Sequence, residues 1–214
     1  YMRTVRRIAG HTIGVIGFGN IGRAFATRMR SFGPSRIIAY DPFVPQTVAD
    51  LLGVKLVSLE ELLTESDYVS IHTSLTTETR HLINEKTLKL MKPTAMLVNT
   101  SRGPVIDGQA LFCALQEKTI EAAALDVTEV EPIESADPLL SLSNVIVTPH
   151  LAGFSPTFLN ECPIRQAENV IRVLTGSAPW GLANPEAIKT IAIMRNHEDL
   201  RWRGVPDFKT SINL

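Results

Sequence analysis

Three short segments of this chain place chemically capable side chains just beyond apolar runs. LVNTSRGPVID carries Arg102, ALDVTEVEP carries Asp126, Glu129 and Glu131, and VIVTPHLAG carries His150. An arginine can hold a carboxylate through two parallel N–H donors, and a histidine can exchange a hydroxyl proton. A carboxylate beside that histidine favours its protonated form. Together the three groups suit hydride transfer to or from a carbonyl carbon. Singly, each has a plainer reading. Arg102 reads as a surface ion-pair arginine and His150 as a turn histidine beside Pro149. Glu129 and Glu131 read as loop acids, at least one of them solvated. What carries weight is that all of them follow apolar, strand-like runs.

A fourth segment, GVIGFGNIGR, supplies a G-x-G-x-x-G at Gly17, Gly19 and Gly22. Alone it is weak. It gains force from lying between a predicted strand and a predicted helix, where the first glycine allows a tight turn, the second lets backbone approach a pyrophosphate, and the third lets helix and strand pack closely. The helix start, with Asn20 and Ile21, then offers N–H groups to the anion. Asp41 ends the next apolar run, nineteen residues past Gly22. A carboxylate there accepts from ribose hydroxyls and opposes a 2′-phosphate, so NAD is the expected cofactor rather than NADP.

The elements that must position these groups are legible as alternation. Strand-like runs at 12–16, 36–40, 68–72, 95–99, 120–127 and 145–148 alternate with helical patterns. Such alternation predicts an α/β fold, a doubly wound parallel sheet of the Rossmann type. The runs at 95–99 and 145–148 are apolar up to their last residues, as strands covered on both faces would be. The helix beginning at Ile21 is closed by Gly33-Pro34. Ser58 with Glu61 forms a capping pattern, Asp107 is placed to cap the helix after it, and Ser155-Pro156 opens a longer one reaching toward Thr175. Pro163 falls inside that last helix and predicts a kink or an early break. In a parallel sheet ligands bind beyond the carboxyl ends of the strands, so all four segments aim at one edge.

Composition narrows the classes. With 44% apolar and 20% charged residues among 214, the chain can bury a substantial core. A net charge of −1, with basic residues dispersed, gives no nucleic-acid or membrane surface, and no apolar run approaches the roughly 18 residues of a membrane span. A cytoplasmic location is the default expectation. Cys113 and Cys162 lack metal-ligand spacing and read as reduced packing residues, a disulfide being the lesser alternative; no metal site is expected.

Taken in order, Gly17 to Gly22, Asp41-Pro42, NTSRGPVID, LDVTEVEP and TPHLAG resemble the NAD-dependent D-isomer-specific 2-hydroxyacid dehydrogenases over roughly residues 11–185. The resemblance implies a small 2-keto or 2-hydroxy acid substrate. It assigns Arg102 to the substrate carboxylate and carbonyl, His150 to acid/base work, and Glu131, directly before proline, to the partner carboxylate. Asp126 would contact the nicotinamide carboxamide. Thr100 and Ser101 join the cofactor site, as do His72, Thr73 and Thr79 in HTSLTTETRHLI. The chain departs from the family at Ser74, Lys118, Thr128 and Pro163, none of which is among the proposed active-site residues.

The larger departure is ahead of the glycine loop. The family places a substrate-binding domain before the dinucleotide fold, whereas ten residues precede His11. Residues 1–10 are therefore expected to be a remnant of the inter-domain connection, 11–185 the dinucleotide-binding domain, and 186–214 a tail left from a largely absent substrate domain. An apolar surface uncovered in this way favours a homodimer. Two other readings share the fold: an NAD-sensing interaction protein similar to the C-terminal-binding corepressors, and a cofactor-binding fragment without activity. Formate dehydrogenases fit less well, since they carry Gln where Glu131 stands.

Overall fold

Thr12–Ile16 forms the first strand, β1, and its five residues are all buried. Its neighbours are β2 (Arg36–Tyr40) on one side and β4 (Tyr68–Ile71) on the other, both parallel to it. The computed structural model, which describes residues 6–175, 177–184 and 186, extends this into a seven-stranded parallel sheet. The remaining strands are β3 (Lys55–Leu56), β5 (Met96–Asn99), β6 (Ala122–Leu125) and β7 (Val145–Val147), in the order β3-β2-β1-β4-β5-β6-β7. The chain winds outward from β1 in one direction, then returns to β4 and winds the other way. The crevice at this reversal, between β1 and β4, is where such sheets bind ligands.

Alternation along β1 divides the core between the two faces. Ile13 and Val15 join Phe18, Ala26, Ile37 and Ala39 on one side, under α1 (Asn20–Met29) and α2 (Gln46–Asp50). Ile16 joins Leu62, Leu63, Ile71 and Leu97 on the other, with α3 (Leu59–Glu65), α4 (Glu85–Leu88) and α5 (Gly108–Gln116) contributing. Two covered faces require strands without polar alternation, as the sequence shows for β4 to β6. β7 differs. It is the sheet edge, and Ile146 is 67% exposed within this chain, so the expectation of a strand covered on both faces fails there.

The helix signals act locally as read. Ser58 accepts from the Glu61 amide, Asp107 from Ala110 and Ser155 from Phe158. The α1 helix tightens into a 3-10 turn over Arg30–Phe32 and stops at Gly33, whose φ of 69° suits a residue without Cβ. Sequence reading missed β3, α2 and α4, elements of two to five residues.

The chain divides into two compact units, Tyr1–Ala152 and Gly153–Leu214. The second contains α6 (Pro156–Leu174), nineteen residues long, which continues past Pro163. The predicted early break is not found: one proline removes a single N–H donor, and the turns on either side keep theirs. Near its end Arg172 lies 4.2 Å from the Trp180 ring centre and donates to the Ala178 carbonyl. The tail with Trp202, apart from Glu186, lies outside the described residues. Among the described residues both cysteines are free, and no helix is long and apolar enough to cross a membrane.

Candidate active site

The glycine loop turns on contacts that leave no room for side chains. Gly17 has a φ of +87°, and a Cβ there would sit 2.7 Å from the His72 and Thr73 backbone; one on Gly22 would lie 2.1 Å from the Gly17 carbonyl. At Gly19, between them, a Cβ would meet open space. The loop is thus packed tight at its first and third glycines and open at its second, beside the start of α1. Asn20 and Ile21 form the first turn of that helix, with Ile21 67% exposed. This is the shape that a pyrophosphate requires.

Asp41 follows β2 and holds the same loop from the other side, accepting from the Phe18 amide at 2.8 Å and the Phe43 amide at 2.9 Å. With Gly17, Gly19, His72, Thr73 and Thr79 it lines a cleft of about 420 Å³. A neighbouring cleft of about 390 Å³ is lined by Ile21, His72, Thr73, Thr100, Ser101 and Arg102. His72 and Thr73 border both, so the two clefts adjoin across the crevice between β1 and β4. The hydroxyl of Thr79 is already used to shape its own turn, accepting from the Thr76 amide and donating to the Ser74 carbonyl.

Burial drives the His72 imidazole down to about 4 from its usual 6.5. The ring packs on Phe25 at 4.8 Å, and Nε2 meets the Ser70 hydroxyl at 2.9 Å. It is therefore neutral at physiological pH. The unfolded chain takes up this proton first on acidification, so the stability conferred by a neutral His72 is complete above pH 6.5 and drains away toward pH 4. Because the ring keeps some solvent contact, the loss expected is about 1–3 kcal/mol rather than the full linkage value. Urea unfolding at pH 7 and pH 4.5 should show wild type losing that much more than His72→Gln. Identical pH dependence in the two proteins would remove His72 as the cause.

Arg102 sits on a turn built by Asn99, a residue to which the sequence reading gave no role. Asn99 is fully buried at the end of β5; its Oδ1 accepts from the Ser101 amide and hydroxyl, and its Nδ2 donates to the Arg102 carbonyl. An asparagine directly between an apolar strand and Thr-Ser-Arg-Gly was the available signal, since such side chains commonly bond their own following backbone. Next to it, a Cβ on Gly103 would lie 1.8 Å from the Thr128 carbonyl, so the Arg102 turn and the loop after β6 are packed backbone to backbone. The guanidinium is exposed and donates to the Ser101 carbonyl; among the described residues it joins no ion pair.

The two acids of the loop after β6 separate in space. Glu131 Oε2 meets His150 Nδ1 at 3.1 Å, with both side chains partly exposed. Glu129 turns the other way: Oε1 meets His81 Nε2 at 2.7 Å and Oε2 accepts from the Gly108 amide at 2.9 Å, with Arg80 at 3.9 Å. The expectation that at least one of the pair is merely solvated is therefore corrected. Glu129 ties its loop to the start of α5 and to the turn after Thr79.

Asp126, given a role toward the nicotinamide, is buried, and its carboxylate is occupied by the Thr148 hydroxyl and the Leu151 and Ala152 amides. Burial opposes its charge, but these three donors and the nearby His150 outweigh it and hold the pKa below the usual carboxylate value. Its carbonyl accepts from the His150 amide. His150 has a φ of +53°, a left-handed conformation uncommon outside glycine, and Asp126 is what holds the backbone there. Thr148, which supplies the hydroxyl, is a second positioning residue missed in the sequence.

Residues 2–152 match the model of the D-isomer specific 2-hydroxyacid dehydrogenase, NAD binding domain. The chain belongs to this family. It is 47% identical over 182 residues to a glyoxylate reductase of Korarchaeum cryptofilum, covering 85% of this chain and 54% of that protein. It is 43% identical over 176 residues to a D-3-phosphoglycerate dehydrogenase of Methanocaldococcus jannaschii, covering 82% of this chain and 33% of the relative. Among solved structures, D-lactate dehydrogenase with NAD+ from Lactobacillus jensenii superposes with a TM-score of 0.68 at 32% identity, covering 75% of this chain and 52% of that one. The chain thus spans about half the length of the glyoxylate reductase it matches.

Proposed function

We propose that this chain is the dinucleotide-binding part of an NAD-dependent dehydrogenase that interconverts a small D-2-hydroxy acid and its 2-keto acid, with glyoxylate the first substrate to try. The observation that carries the reading is the His150–Glu131 pair at 3.1 Å, mounted on the same sheet edge as the glycine loop and Arg102. The relatives named above support the substrate class, and the NAD+ in the Lactobacillus structure supports the cofactor.

Bound NADH supplies the hydride. Gly19 and the first turn of α1 would hold its pyrophosphate, and Asp41 its ribose hydroxyls; the open space at Gly19 and the cleft beside Asp41 fit both. Arg102, with no ion pair among the described residues, would hold the substrate carboxylate and polarise the carbonyl. His150 would give a proton to the carbonyl oxygen in reduction and take it back in oxidation, its ring oriented by Glu131. Asp126 would act through the backbone of His150 rather than on the ligand. A homodimer is part of this proposal, supported by the exposed Leu159, Ile164, Ile171 and Leu174 of α6.

The test pairs calorimetric NADH binding with a glyoxylate, hydroxypyruvate and pyruvate reduction assay on one preparation of this chain. NADH should bind, because the loop, Asp41 and both clefts are present. Turnover should be at least about 100-fold below that of a form carrying a substrate-binding portion, since misplacing a substrate by about 1 Å costs that much. Brisk turnover by this chain alone would show that a second protomer or the chain itself closes the site. Binding without any turnover in either form would favour the sensor reading.

A further inference from the structure

We propose that Glu78 is a second determinant of dinucleotide choice, acting with Asp41 to exclude a 2′-phosphate from the cleft beyond β2. The inference rests on the cofactor reading above and adds to it a residue on a different segment, contributed by the turn after β4.

Among the described residues, the cleft that holds Asp41 is lined by two carboxylates, Asp41 and Glu78, and by no lysine or arginine. Its imidazole, His72, is neutral near pH 7 because burial holds it at about 4, so it offers no compensating charge. Glu78 is exposed, and a neighbouring hydroxyl orients its carboxylate. Oε1 accepts from the Thr77 hydroxyl at 2.9 Å. Hydrogen bonds from Thr76, its own amide and Thr77 keep its carboxyl below the usual glutamate value, and therefore charged. The turn beneath it is braced by the Thr79 hydroxyl, which bonds both the Thr76 amide and the Ser74 carbonyl.

Asp41 itself is the weaker barrier than its position suggests. Both its oxygens already accept backbone amides, from Phe18 and Phe43, so part of its charge is spent on the loop. Space decides the rest. Asp41 and Glu78 border the same cleft of about 420 Å³, so an anion seated in it meets both charges, which salt screens fully only beyond a Debye length of about 10 Å at 0.1 M. A 2′-phosphate carries about −1.5 to −2 at neutral pH, whereas the ribose hydroxyl of NADH carries none. The repulsion from Glu78 therefore falls on NADPH and not on the corresponding group of NADH.

The experiment measures the ratio of NADPH to NADH dissociation constants by nicotinamide fluorescence on this chain, in low and high salt. Wild type, Glu78→Gln, Glu78→Asp, Asp41→Ser and the double variant Asp41→Ser/Glu78→Gln are compared. At about 20 mM salt Glu78→Gln should lower the ratio roughly three- to tenfold, and the effect should shrink to less than about twofold near 0.5 M, where the Debye length is a few ångströms. Glu78→Asp, which keeps the charge, should keep most of the selectivity. The double variant should lower the ratio beyond Asp41→Ser alone. An unchanged ratio in Glu78→Gln, or a change shared equally by both nucleotides, overturns the role of Glu78 while leaving the cofactor reading intact. If wild type binds neither nucleotide, the cofactor reading fails and takes this inference with it.

Discussion

Replacement of His150 by alanine is expected to lower ketoacid reduction by about 100- to 10,000-fold, the usual worth of a positioned general acid. NADH affinity should persist, because the glycine loop, Asp41 and the two clefts do not include this ring. The assay needs a form of the protein that reduces glyoxylate, with binding followed separately by nicotinamide fluorescence. The size of the effect follows from geometry. His150 is held by its amide to the Asp126 carbonyl and by Nδ1 to Glu131, and among the described residues Nε2 has no partner, as the proposed role requires. Glu131→Gln should also slow turnover, since it removes the charge paired with the ring, whereas Glu129→Gln falls on the contacts to His81 and Gly108. Loss of NADH binding in parallel with turnover in His150→Ala would show that the substitution had collapsed the loop after β7. Retention of near wild-type turnover would exclude His150 as the acid.

Arg102→Lys is expected to lower kcat/KM for the ketoacid by about 10- to 100-fold, the cost of losing a hydrogen bond to a charged group. A guanidinium presents two parallel donors in a fixed plane to carboxylate and carbonyl oxygens, while an ammonium is a single compact charge on a flexible stem. The turn that carries Arg102 is anchored through Asn99 and through the close approach of Gly103 to Thr128, neither of which depends on the side chain at 102. The lysine variant should therefore fold and bind NADH, and the loss should appear in ketoacid reduction. Steady-state kinetics against glyoxylate decide it. Wild-type efficiency with lysine would mean that the substrate carboxylate is held by charge alone.

Much of the architecture could be read from local pattern. Buried strands under helices on both faces leave apolar runs, so β1, β2 and β4 to β6 were placed within a few residues of their observed bounds, and the apolar run of β7 was placed as closely although one of its residues is exposed at the sheet edge. Capping side chains act within three residues, and Ser58, Asp107 and Ser155 were found for that reason. The glycine loop was legible because each glycine answers a steric demand made by its immediate surroundings, as at Gly17 and Gly22. The two-residue β3 and the single-turn α4 are too short to generate a period, and only their neighbours stabilise them.

The candidate site divides along the same line. Residue types and strand ends nominated Arg102, Glu131 and His150, but composition alone could not separate Glu131 from Glu129, which the family pattern chose by its proline. The fold separates them through contacts far apart in sequence: Glu129 reaches His81 across 48 positions and Glu131 reaches His150 across 19. Asp126 was assigned a cofactor contact by the family pattern; its oxygens accept amides 25 and 26 residues later, which only the adjacency of β6 and β7 brings within reach. Asn99, Thr148 and Glu78 went unassigned because their partners are defined by turn geometry and by the walls of a cleft. Sequence determines which groups are present and which strand end each follows. Which of them meet is decided by sheet order, because a hydrogen bond or a charge acts over a few ångströms of space however many residues intervene.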